Sequence, residues 1–141
     1  MRAAFAGYGV PSSVTGERSD YVLVKNVGAT TCTLRGYPCV WFTSASGHEL
    51  RFRVTHRPGP LFMNPLKTIT VRPHQEIYFK VGRQACAVQV DPKKDGTVLH
   101  FLLPGSSRIV ALNHGIEFCE KGDTPNTLYV DAVGIWHGER I

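Results

Sequence analysis

Apolar and polar residues alternate over short stretches along most of this chain. Long windows with apolar residues at three- and four-residue spacing are missing, so the pattern predicts strands and no helix. Residues 50–55 (LRFRVT) alternate most cleanly. Leu50, Phe52 and Val54 fall on one side, and Arg51, Arg53 and Thr55 on the other, which sets both arginines toward solvent. Further strands are expected over residues 21–27 (YVLVKNV), 40–43, 67–71, 76–81, 108–112 and 127–133. Residues 97–103 (TVLHFLL) are apolar almost throughout, the pattern of a strand buried on both faces.

Turn residues punctuate these runs. Gly36-Tyr37-Pro38, Arg72-Pro73-His74-Gln75 and Pro104-Gly105-Ser106-Ser107 each separate two strands, and proline both stops one run and sets up the next. About seven to nine short strands at intervals of about 8–12 residues predict an all-β, antiparallel two-sheet β-sandwich of immunoglobulin-like kind. Two sheets hide apolar faces that one sheet leaves exposed. Trp41 is expected between them, because an indole is a large apolar side chain. Residues 1–19 are small, polar and glycine-rich and read as a loosely ordered N-terminal arm. Residues 20–141 read as one domain, without linker or repeat.

Composition narrows the class. The chain has 141 residues, 43% of them hydrophobic, which fits one globular domain with a single core. No apolar run approaches the roughly 18–20 residues of a membrane-spanning helix. The N-terminus also lacks the apolar stretch of a signal peptide. A formal charge of +5 and a pI of about 9.2 are moderately basic. The positive residues are scattered, so nothing specific to nucleic acid is indicated. No Asn-x-Ser/Thr sequon is present.

Candidate chemistry is sparse. The six histidines form neither His-x-x-x-His nor His-Glu-x-x-His, and most fall in turns or loops. His100 differs, alternating with Val98 and Leu102 on a strand, which makes it a half-buried structural histidine. One Met near His56 and His74 is too few soft ligands for a copper site. There is no Gly-x-Ser-x-Gly elbow, and Gly7-Tyr8-Gly9 lacks the third glycine of a dinucleotide site. No cofactor is implied. The four cysteines, Cys32, Cys39, Cys86 and Cys119, lack the Cys-x2-Cys spacing of zinc sites. Disulfides are favoured over buried thiols, metal or catalysis in a small β-rich chain with an even count.

A family resemblance emerges here. Asn26 at a strand end, followed by Thr31-Cys32-Thr33-Leu34-Arg35-Gly36-Tyr37-Pro38, resembles the hallmark of an actinobacterial family, domain of unknown function 4232. The segment from Val71 to Phe79 is similar to that family's Leu-x-Pro-Gly-x-x-Ala, with His74 where the family has glycine. Cys86, the Leu103-Pro104-Gly105 turn, Cys119 and the strand holding Leu128 and Val130 follow in the family's order, so the likeness covers about residues 20–134. It implies an exported domain, secreted or membrane-tethered as a lipoprotein through a leader that this chain lacks, and it brings no known catalytic activity with it. It also leads to a pairing: Cys39 stands in for a cysteine that the family carries near the domain's start, giving Cys32–Cys39 and Cys86–Cys119.

A surface is the better functional candidate. Arg51 and Arg53 share a strand face, Arg57 follows with His56, and Arg72, Lys80 and Arg83 join if their strands are neighbours. Such a face suits an envelope protein or an anionic wall or lipid surface. Phe62 and Met63 read as an apolar loop tip. The reading is a noncatalytic extracytoplasmic module at the cell envelope that binds a protein or an anionic surface polymer. The alternative is an enzyme or metal carrier with a site in the loops at one end of the sandwich. A pocket gathering His100 or His114 with a carboxylate would favour that alternative.

Overall fold

The computed structural model describes residues 2–8, 17–56, 64–84, 97–116, 118–119 and 126–137. Among them it is all-β. The strands are β1 (Arg2–Tyr8), β2 (Glu17–Lys25), β3 (Cys32–Leu34), β4 (Cys39–Thr43), β5 (Glu49–Leu50), β6 (Arg53–Thr55), β7 (Ile69–Val71), β8 (Glu76–Gln84), β9 (Val98–Leu102), β10 (Val110–Asn113), β11 (Thr127–Val130) and β12 (Gly134–Ile135). The first sheet runs β1-β2-β8-β11-β6, with β12 also on β8; the second runs β10-β9-β4-β5; β3 and β7 form a third, two-stranded sheet. All pairs are antiparallel except β6 with β11.

The first sheet is organised by its longest pair. β2 and β8 match from Glu17↔Gln84 to Lys25↔Glu76. Their alternation turns Val22, Val24, Ile77, Phe79 and Val81 inward, where they meet Val40, Phe42, Leu50, Leu99 and Phe101 of the second sheet. Phe79 and Phe101 touch edge to face, centroids 5.1 Å apart, so the two inner faces pack directly as a sandwich.

Several expectations need correction. Residues 50–55 are not one strand. Leu50 pairs with Phe42 in the second sheet, whereas Arg53 already pairs with Thr127 in the first. The chain changes sheets at Arg51 and Phe52, and the alternation breaks with it: Leu50 is buried but Val54 is 45% exposed. Trp41 is not between the sheets. Its neighbours Val40 and Phe42 are buried, so the pleat turns Trp41 to the outer face, half-buried. β9 is likewise covered on one face only, with Leu99 and Phe101 inward and Val98, His100 and Leu102 partly exposed. Within the expected arm, residues 2–8 form β1, whose register on β2 includes Arg2↔Lys25 and Ala4↔Leu23.

Candidate functional site

The segment around Gly36-Tyr37-Pro38 is a structural clasp. Gly36 has φ 128°, a backbone region open essentially to glycine alone, and its carbonyl accepts a hydrogen bond from Val133 N at 3.2 Å. Tyr37 stacks on His56 with centroids 3.9 Å apart, and His56 Nδ1 meets the carbonyl of Val130 at 3.2 Å. Both contacts tie the link between β3 and β4 to the end of β11. Asn26 performs a similar task nearby. Its Nδ2 donates to the carbonyls of Thr30 and Val71 at 3.0 and 3.3 Å, and its Oδ1 accepts from Gly28 N. His74 donates its backbone N–H to the Asn26 carbonyl and adopts φ 67°. It therefore keeps the left-handed turn shape that a glycine would take there.

The expected Cys32–Cys39 staple is not formed. Both are free thiols, Cys32 half-buried and Cys39 exposed. The clasp explains why: Cys32 opens β3, paired with Val71 of β7, whereas Cys39 opens β4, paired with Leu102 of β9. The short link delivers the two residues to different sheets. Cys86 lies outside the described residues. Cys119 is buried, and Arg83 Nη2 donates to its sulfur at 3.0 Å. Asn126 brackets the Cys119 backbone, accepting from its N–H at 2.7 Å and donating to its carbonyl at 2.8 Å.

The basic residues divide. Arg51, Arg53 and Arg72 are exposed; Arg57, Phe62 and Met63 lie outside the described residues. Arg53 is on β6 of the first sheet, while Arg72 directly follows β7 of the two-stranded sheet, so they do not share a strand face. Lys80 and Arg83 do not join them, since both are buried. Arg83 lies over the Phe52 ring, 5.6 Å from its centroid. Lys80 Nζ stands 3.8 Å from Asp131 Oδ2.

Two carboxylate sites, one buried and one partly buried, were not singled out in the sequence. Asp131 Oδ1 accepts from Asn64 N at 2.7 Å, and Asn64 in turn donates to the Ala132 carbonyl and accepts from the Tyr78 hydroxyl. Burial pushes the Asp131 carboxyl up from 3.8 to about 6, with Lys80 and the N–H donors of Asn64 and Ala132 opposing. The second is Asp20 of β2, whose Oδ2 meets His114 Nε2 at 2.8 Å. His114 follows β10, and its ring lies edge-on to Phe42 at 5.7 Å. The Thr97 hydroxyl donates to the His114 carbonyl and accepts from Ile116 N. This pair spans the two sheets. The one signal for either carboxylate was its position, an acidic residue against an apolar strand: Asp20 before YVLV, Asp131 after TLYV.

Among the described residues, two clefts lie on the outside. One, of about 420 Å³, is lined by Val40, Trp41, Glu49, Leu50, Arg51, Phe52 and Val54. It is set where the chain leaves the second sheet for the first. Trp41 is held on its other side by His100, its cross-strand partner, with rings 7° from parallel and centroids 5.4 Å apart. His100 Nε2 is 2.9 Å from Thr43 Oγ1. The other cleft, of about 390 Å³, lies between β3 and the Leu103–Ser106 turn and includes Cys32, Leu34 and Arg108. Neither is lined by His114 or Asp20. Among the described residues, no group of three or more His, Cys, Asp and Glu is placed to hold a metal ion. No helix there is long and apolar enough to cross a membrane.

A family model, described as Domain of unknown function (DUF4232), matches residues 4–134. The chain belongs to that family. The match takes in β1 and extends to Gly134 in β12, so the family's unit is the whole arrangement of sheets and reaches further toward the N-terminus than the 20–134 read from the sequence. No curated protein and no solved structure matches the chain significantly.

Proposed function

We propose that the protein is a noncatalytic extracytoplasmic module of the cell envelope that binds an anionic surface polymer, exported and either secreted or tethered as a lipoprotein. The observation that carries the reading is the open cleft beside Trp41, with Arg51 on its rim and exposed Arg53 two residues further on. A cation flanking a concave, partly apolar surface is suited to recognising a ligand. The extracytoplasmic part is supported by the resemblance and by Cys119, which is not among the free thiols. With Cys32 and Cys39 free, Cys86 is its proposed partner, and a structural disulfide belongs to an oxidising compartment.

Titration with poly(glycerol phosphate) tests the ligand class. Binding is expected at low salt, weakening as salt rises, and falling several-fold in an Arg51→Ala/Arg53→Ala variant. Equal affinity in the wild type and that variant would remove the arginines from the reading. Binding to an envelope protein alone would replace the polymer with a protein partner.

One observation favours the alternative, an enzyme. An imidazole against a carboxylate at 2.8 Å has the composition of a general base and its orienting group. Stability separates the readings. A pair that joins the sheets loses stability in His114→Ala, whereas a pair kept for chemistry is removed at little cost or with a gain.

A further inference from the structure

We propose that the cleft beside Trp41 is a glycan subsite, seating a neutral, hydroxylated sugar ring against the indole. This rests on the binding-module reading and names the chemistry that its cleft selects.

The indole's position is the first argument. Val40 and Phe42 are almost wholly buried on either side of it, yet the largest side chain of β4 is turned outward and left half-buried on a concave surface. It is also fixed. β4 lies between β9 and β5. On the β9 side His100 stacks parallel to the indole, and Thr43 holds His100 in place. On the β5 side the indole lines the cleft. A flat apolar wall held before the ligand arrives loses little freedom on binding.

The rim supplies the second argument. Glu49 and Arg51 line the same cleft, and both are exposed. Inside the cleft the Glu49 carboxylate offsets the Arg51 guanidinium, so the group seated there is neutral, while exposed Arg53 outside it is left for the anionic groups of the same polymer. A hydroxyl is compatible with both, donating to Glu49 and accepting from Arg51. Phe52 and Val54 complete the apolar lining, against which the C–H faces of a sugar ring can lie. The volume of about 420 Å³ is within the roughly 300–1,000 Å³ of small-ligand sites. β5 is two residues long and ends its sheet, so the cleft is open at the sheet edge and admits one ring of a longer chain. Phosphates or carboxylates elsewhere on such a chain would fall to arginines outside the cleft.

The test is a fluorescence and calorimetric titration of the full chain. The probes are neutral cello-, chito-, manno- and galacto-oligosaccharides at up to millimolar concentration. At least one is expected to bind saturably and shift tryptophan emission. Trp41→Ala should weaken it by about tenfold or more, and Trp41→Phe, which keeps an aromatic wall, by less. Trp136→Phe, away from the cleft, should bind as the wild type does. No binding across the panel, or equal affinity in the wild type and both Trp41 variants, would overturn the sugar subsite. Poly(glycerol phosphate) run in parallel separates the two ideas. If it binds while the neutral sugars do not, the subsite fails and the envelope module stands; if nothing binds, both fail.

Discussion

Asp131 is a carboxylate enclosed at zero exposure, with its ammonium partner no closer than 3.8 Å. Desolvation outweighs that attraction and the two N–H donors, so the folded protein holds the proton up to about pH 6, against 3.8 for the free side chain. The native state then binds more protons than the unfolded state between those values, and stability falls as pH rises through that window. Below it both states are protonated and the contribution is intact; above it the loss is complete, at about 3 kcal/mol. Denaturant titrations across this range should show a smaller fall in Asp131→Asn than in the wild type. Parallel pH profiles would remove Asp131 as the cause. His74 is a second single-residue case. Its φ of 67° costs a residue with a Cβ about 1 kcal/mol relative to glycine. His74→Gly should therefore raise stability slightly, by less than that amount once the freer unfolded chain is counted. A clear loss would mean that the imidazole makes a contact worth more than the backbone strain.

At the scale of elements, strands were legible where one face is apolar and one polar, and sheet membership was not. The alternation over residues 76–81 locates much of β8: Ile77, Phe79 and Val81 join the core between the sheets, although Tyr78 and Lys80 on the other face are buried as well. Residues 50–55 alternate just as well and still divide between two sheets. Alternation records which side is apolar at each position, not which neighbour the backbone bonds to. The same limit hid the cleft, since Trp41 and Arg51 become neighbours through the departure of β6 from β5. The Asp20–His114 pair was illegible for a related reason: 94 positions of sequence separate residues that register alone brings to facing sheets. That pair should act as a clasp between elements. His114→Ala leaves Asp20 without its 2.8 Å partner, and hydrogen bonds to charged groups contribute about 1.5–3 kcal/mol. A loss of that size in equilibrium unfolding, with secondary structure unchanged in the native state, is expected. No loss would turn attention to the pair as a site of chemistry.

For the whole molecule, the cysteines decide how the fold is secured. The free thiols differ in access: Cys39 is exposed at the head of β4, and Cys32 is half-buried beside the outer cleft. Under native, non-reducing conditions an alkylating reagent should modify Cys39 first and Cys32 more slowly, and no others. After reduction and unfolding, all four cysteines should react. Peptide mapping of the unreduced chain should recover Cys86 joined to Cys119. Closing the loop between them constrains the unfolded chain by about 3–4 kcal/mol on loop-entropy grounds, a large share of the roughly 5–15 kcal/mol that holds a typical domain together. Reduction should therefore lower the melting temperature, while Cys39→Ser should leave it nearly unchanged, because that side chain is outside the core. The contrast carries the compartment argument. A fold that loses much of its stability on reduction is suited to an oxidising envelope and poorly suited to a reducing cytosol. Four thiols alkylated without reductant, or a melting temperature indifferent to reduction, would withdraw the extracytoplasmic proposal while leaving the sandwich, the outer cleft and its ligand test unchanged.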